Sequence, residues 1–432
     1  MKVAIIGAGW AGCAAAVEAT RLGHKVTLFE ATRTAGGRAR RVDIMHAGQS
    51  QSLDNGQHIL IGAYAETLRL MAELGVDAST ALLRIPLSML FADGTGLKLA
   101  RLPAPLDALV GICTANGWAW QDKVSLLRVC IDWQRSDFQC LPQQSVADLC
   151  SKVSPRIMAM LIEPLCVSAL NTPVDWASGQ VFLRVMRDAL FSGSGGSNLL
   201  LPRVDLSALL PDAALVWLQK NGAELRLGSR VQAISPSDAS GSNWALTGED
   251  IDATTQPAIF NRVVIACPPS EAVRLAERSA LPCDAWLARA RELKHEAITT
   301  VYALSQGTRL SQPMLALRSS AEHPAQFVFD RGQLGGQPGL MAFVVSASQG
   351  DKASITTQVL QQAATQLGLS HLEALQTIVE KRATFACTPG LQRPGMTLAP
   401  GLLACGDYID GPYPATLEGA VRSGLAAARQ PD

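Results

Sequence analysis

Gly7, Gly9 and Gly12 stand as GxGxxG directly after the β-branched run Lys2–Ile6 and before an alanine-rich helical stretch, Ala11–Leu22. Strand, tight turn and helix in that order suit a dinucleotide. The first glycine permits the turn, the second lets a pyrophosphate approach the backbone, and the third allows close helix–strand packing. Helix N-terminal amides then face the phosphate charge. Glu30 ends the next strand, Lys25–Phe29, where a carboxylate accepts hydrogen bonds from a ribose diol and repels the 2′-phosphate of NADP. Glycines alone are a weak signal; the acid at that spacing strengthens it.

The elements that must position these residues begin with this βαβ unit. Asp205–Asn221 reads as a helix leading to strands at Glu224–Leu227 and Val231–Ile234. Val263–Ala266 reads as a short buried strand cut off by Pro268 and Pro269, and Leu402–Ala404 as another. Ala415–Ala428 reads as a terminal helix. Between roughly residues 80 and 200 the pattern turns helical and irregular, with Trp118, Trp120 and Trp133 and a Gly/Ser-rich connector, Ser192–Ser197. Strand-like runs at Ile298–Leu304, Gln326–Phe329 and Leu340–Val345 suit a sheet in a second domain.

With 432 residues, 48% hydrophobic and 17% charged, the chain can bury a large core and is neither disordered nor polytopic. Lysine plus arginine and aspartate plus glutamate each number 37, so no basic excess exists to neutralise nucleic-acid phosphates. The ten cysteines include no CxxC pair and read as mostly buried, reduced thiols of a cytoplasmic protein. Glycines inside the N-terminal apolar run argue against a signal peptide, and no run reaches the length of a spanning helix.

Gly36, Gly37 and Arg38 follow Glu30 in EATRTAGGR, and near the other end stands LLACGDYIDGPYPATLEGAVRSG. These stretches resemble the FAD-dependent amine oxidase and phytoene desaturase superfamily. The resemblance implies that the GGR segment wraps the pyrophosphate, that Arg38 approaches the flavin, and that Gly406 and Asp407 meet the ribityl or phosphate region. A helix beginning near Ala415 or Thr416 would point its positive end at the flavin pyrimidine. Val231 is expected at the cofactor as well. LDNGQHILIGAY, Leu53–Tyr64, combined with PATLEGAVRSG is similar to the squalene-associated branch, the hydroxysqualene dehydroxylases of hopanoid biosynthesis.

That resemblance implies an α/β fold in which a Rossmann-like FAD-binding domain, residues 1–80, 200–270 and 385–432, carries an inserted α+β substrate domain, residues 81–199 and 271–384. It implies reduction of a long isoprenoid, with a proton donor or polar clamp for the departing hydroxyl. Asp54, His58, Tyr64, Asp410 and Tyr413 are the polar candidates nearest the matched motifs, and His58 can equally be a structural hydrogen-bonding group. Amine oxidation is disfavoured because AITTVYAL carries no lysine, although Lys294 lies just before it. A carotenoid-type desaturase and a non-enzymatic flavin or lipid carrier stay open. One GxGxxG leaves no evident site for a resident NADPH, so a transient donor must supply electrons. A scarcely soluble substrate implies peripheral contact with the cytoplasmic membrane, with Leu102–Trp120 as a candidate segment.

Overall fold

Val3, Ala4, Ile5 and Ile6 form a continuous apolar run because the strand Lys2–Ile6 is covered on both faces. It lies at the centre of a six-stranded sheet whose order is Glu224–Leu227, Lys25–Glu30, Lys2–Ile6, Arg262–Ile265, Leu402–Ala404, Thr397–Ala399. All neighbours pair in parallel except the last two, which are antiparallel. The computed structural model describes residues 1–431 except 192, 194, 238–242, 249–258 and 280; Ser192 and Ser194 of the expected connector therefore lie outside the described residues.

Alternation along the strands divides the core. Val3, Ile5, Val26, Leu28 and Val264 face the helices Trp10–Arg21, Pro211–Lys220 and Leu417–Arg429, whereas Ala4, Ile6, Phe29, Val263 and Ile265 face the core that continues into the rest of the molecule. The first and last helices touch along their length. A Cβ on Gly424 would sit 2.1 Å from the Ala11 carbonyl oxygen, so glycine is what lets the two backbones meet.

A five-stranded antiparallel sheet, ordered Met314–Ala316, Phe327–Asp330, Leu340–Ser346, His295–Leu304, Glu373–Phe385, forms the second platform. Its strand His295–Leu304 reaches the first domain through the loop after Asp54. The Tyr302 hydroxyl donates to the Asp54 carbonyl at 2.9 Å, and the Gln57 amide donates to Thr300 Oγ1 at 3.4 Å. Helices between Leu106 and Phe191 cover this sheet's open side of the cavity described below.

Local differences from the sequence expectation have physical causes. The helix expected over Asp205–Asn221 is two helices, Leu206–Leu209 and Pro211–Lys220. Pro211 lacks an amide and pushes Leu210 out of helical geometry, to φ −149°, so the axis breaks there. The terminal helix begins at Leu417, because Thr416 caps it by accepting from the Gly419 amide at 3.1 Å. No helix among the described residues is long and apolar enough to cross a membrane.

Candidate active site

The glycines of the first turn serve two different masters. Gly7 has φ +109° and a Cβ there would stand 2.7 Å from the Ala266 oxygen; a Cβ on Gly12 would stand 1.8 Å from the Gly7 oxygen. Both are required by the fold itself. Gly9 differs. Its φ of −72° suits any residue, and an added Cβ would meet only the Gly37 Cα, at 3.9 Å. Nothing in the protein needs glycine at 9, so the open space beside it is a cradle that a methyl group would fill and a pyrophosphate can use.

Gly36 and Gly37 close the other wall of this cradle. The Gly36 amide donates to the Ala8 carbonyl at 2.8 Å, and Gly9 and Gly36 pair as a parallel bridge. Glu30 ends its strand with one carboxylate oxygen accepting from the Ala8 amide at 2.8 Å and the other from the amide and hydroxyl of Thr32, each at 2.9 Å. The acid thereby fixes the glycine turn as well as edging the cavity. Arg38 Nη2 forms a fork with both Asp407 oxygens at 2.7 Å, joining the two motifs from opposite ends of the sequence.

These groups line one cavity of about 970 Å³, together with Val231, Gly406, Ala415 and Thr416. The helices Trp10–Arg21 and Leu417–Arg429 both start at its wall, so two positive helix ends converge on it. Such a cradle fits the diphosphate and the electron-rich pyrimidine of FAD. Beyond it the same cavity becomes apolar, with Leu97, Ile112, Leu126, Trp133, Leu161 and Phe329 among its walls.

Of the five polar candidates, His58, Tyr64 and Tyr413 line the cavity. Asp54 and Asp410 do not. Asp54 is 2% exposed and turned behind the loop, where it accepts from the Leu206 amide at 2.8 Å and lies 3.9 Å from Arg331. Burial pushes its carboxyl up to about 6, against the pull of the Leu206 amide and Arg331. It is a support for residues 55–58 and not a wall of the cavity. Asp410 is exposed on the outer side of its loop, its amide donating to Pro394 O at 2.9 Å. Proximity in sequence placed it with Tyr413, but of the two only Tyr413 lines the cavity.

His58 Nδ1 lies 2.8 Å from the Gly56 carbonyl oxygen, which can only accept. Burial holds the imidazole below its usual pKa, so it is neutral, with hydrogen on Nδ1 and a lone pair on Nε2. Tyr64 and Tyr413 are both raised above the ordinary phenol value, first by burial and then by Glu418 and Asp188 respectively. Both therefore keep their protons. The Tyr413 ring lies between the guanidiniums of Arg184 and Arg422, 5.1 and 5.3 Å from its centroid. Arg184 Nη2 donates to the Tyr413 hydroxyl at 3.2 Å, and Arg184 Nε to Asp188 at 2.9 Å.

Sequence reasoning missed Arg184 and Asp188, which come from the helix Gly179–Phe191 and carry no motif. It also missed Glu418, which is 1% exposed and accepts from the amides of Glu66 and Thr67, the Thr67 hydroxyl and Arg422. An acid in the first turn of an apolar helix was its only signal. Lys294 is exposed and no lysine is among the cavity's described walls.

Comparisons with known proteins agree with this geometry. The family model for flavin containing amine oxidoreductases matches residues 10–430. A hydroxysqualene dehydroxylase from Rhodopseudomonas palustris is 27% identical over 447 aligned residues, covering 99% of this chain and 97% of the relative. A zeta-carotene desaturase from Zea mays is 40% identical, but over 77 residues, 18% of this chain. Cyclohexylamine oxidase from Brevibacterium oxydans superposes with a TM-score of 0.68 at 15% identity, covering 99% of this chain and 97% of the oxidase, a likeness of fold. The double glycine cradle, the Arg38–Asp407 fork and the two convergent helix ends are thus those of a protein that belongs to the flavin containing amine oxidoreductase family.

Proposed function

We propose that this FAD-dependent oxidoreductase removes the hydroxyl of hydroxysqualene reductively, yielding squalene. The observation that carries the reading is the single cavity running from a dinucleotide cradle into an apolar chamber, in a chain similar along its whole length to hydroxysqualene dehydroxylases. The desaturase likenesses cover less than a third of the chain, whereas the dehydroxylase likeness covers nearly all of it.

Reduced flavin supplies the hydride that takes the hydroxyl's place. The protein's own residues do the rest. Gly9, Gly37 and the two helix ends hold the diphosphate and orient the ring, Glu30 faces the ribose, and the apolar walls exclude water from the allylic carbon. The departing oxygen needs a proton. His58 is neutral with its Nδ1 hydrogen engaged by Gly56, so it offers a lone pair and not a proton. Tyr413 accepts from Arg184 and directs its own hydrogen to the Asp188 carboxylate, and the proton it keeps there makes it the proton donor of this reading. Only one strand–turn–helix nucleotide unit stands among the described residues, so electrons come from a transient donor. The substrate's insolubility makes the membrane surface the place of work.

Anaerobic mixing of photoreduced holoenzyme with hydroxysqualene tests this. Squalene by mass spectrometry, formed with reappearance of the oxidised-flavin band, is expected. Failure to reoxidise, together with bleaching of oxidised flavin by a more saturated isoprenoid, would favour a desaturase instead.

A further inference from the structure

We infer that the outer face of the helix Leu106–Thr114, with Ile131 beside it, docks on a lipid bilayer and is the port through which the substrate enters. The docking half stands on the surface alone; the entry half rests on the isoprenoid reading.

A helix on a water-facing surface ordinarily turns its charges outward. This one inverts the pattern. Its one charged side chain, Asp107, is 5% exposed and points inward, accepting from the Ala108 amide at 2.8 Å and from the Ser197 hydroxyl at 3.4 Å. Its outer face presents Leu106, Leu109 and Val110, 52, 44 and 37% exposed, and Leu102 precedes them at 43%. Four large apolar side chains within nine residues form a patch, whereas isolated exposed leucines would mean nothing.

The patch is continuous with the cavity. Leu106, Leu109 and Ile131 are exposed and also line the interior, so the apolar chamber opens between these helices. A mouth rimmed with hydrocarbon serves a ligand that arrives from hydrocarbon, since it spares the ligand any passage through water. Charge around the rim selects a bilayer. Arg101, Arg128 and Arg135 are exposed, and none forms an ion pair among the described residues. Arg128 and Arg135 stand three residues before and four after Ile131, on the same helical face. Apolar insertion ringed by free guanidiniums matches the acyl and anionic head-group layers of a membrane.

Flotation of the full-chain holoenzyme with vesicles tests docking without substrate. Wild type should float with phosphatidylcholine vesicles containing phosphatidylglycerol, and less with phosphatidylcholine alone. Leu102→Glu with Val110→Glu, both outside the cavity wall, should weaken partitioning about tenfold or more while leaving the melting temperature unchanged. The same variant should turn over detergent-dispersed hydroxysqualene at the wild-type rate and vesicle-embedded hydroxysqualene about tenfold more slowly. Arg101→Glu, Arg128→Glu and Arg135→Glu together should abolish the preference for anionic vesicles. Wild type remaining unfloated with both compositions, or the Leu102/Val110 variant floating equally well, would overturn the proposal and leave the patch to a protein partner. Normal docking with no turnover of hydroxysqualene would retain the bilayer surface and remove the substrate reading.

Discussion

Replacing Gly9 and Gly12 by alanine, one at a time, separates what the fold requires from what the cofactor requires. At Gly9 the added methyl meets no protein atom closer than 3.9 Å and φ is −72°, so the apoprotein has nothing to relax. Loss of glycine's unfolded-state freedom should even raise apoprotein stability by about 0.4–1 kcal/mol. The methyl instead occupies the diphosphate cradle, and forcing a group of that size into a filled site costs about 1–3 kcal/mol. FAD should then bind roughly 5- to 150-fold more weakly. At Gly12 the methyl would overlap the Gly7 oxygen at 1.8 Å, a backbone atom that cannot move without parting helix from strand. That variant should lose about 3 kcal/mol or more of apoprotein stability. Denaturant unfolding of the apoproteins, with FAD titration followed by quenching of flavin fluorescence, reads both quantities. Wild-type affinity in Gly9→Ala, or apoprotein destabilisation there as large as in Gly12→Ala, would refute the assignment of the space to the diphosphate.

Other perturbations follow from the same geometry. Tyr413→Phe keeps the ring between Arg184 and Arg422 but removes the proton, so single-turnover product formation should fall about 10²-fold or more with FAD affinity unchanged; an unchanged rate removes Tyr413 as donor. Because burial lowers the His58 pKa, the imidazole is already neutral at pH 7, and the rate of flavin reoxidation should not fall from a histidine titration between pH 6.5 and 8; a falling limb there that disappears in His58→Gln would show that the protonated ring is needed. Asp54 is an acid whose folded pKa is raised from 3.8 to about 6, so the folded state holds more protons in that window and this group's contribution to stability declines as pH rises from about 4 to 6. The full effect is on the order of 3 kcal/mol. In Asp54→Asn that decline should be absent, which urea unfolding at pH 4 to 7 compares directly; parallel profiles for the two proteins would count against a buried, mostly neutral carboxyl at pH 5.

The cofactor end of the site was legible because its signals are local. Gly7, Gly9, Gly12 and Glu30 owe their roles to a turn and a strand end within one βαβ unit, and each role follows from backbone geometry over a few residues. Likewise short apolar runs near glycine or proline declared the buried strands, since a strand covered on both faces must be apolar throughout. The break before Pro211 was available in the sequence too, in the missing amide of one residue.

The reaction end was decided by tertiary structure. Whether a polar residue near a motif faces the cavity depends on which way a loop turns, and that turn is set by distant partners: Leu206, Tyr302 and Arg331 draw Asp54 behind its loop, while the loop after Tyr408 sends Asp410 outward. Arg184 and Asp188 join Tyr413 only because a helix more than two hundred residues earlier packs against it, Arg184 lying 229 residues before the Tyr413 it bonds. No spacing in the chain records such a contact. The sequence alone determined the dinucleotide cradle, because hydrogen bonding and steric exclusion act over neighbouring residues; it could not determine which polar candidates face the cavity or that Arg184 meets Tyr413, because both depend on where side chains from separate elements meet.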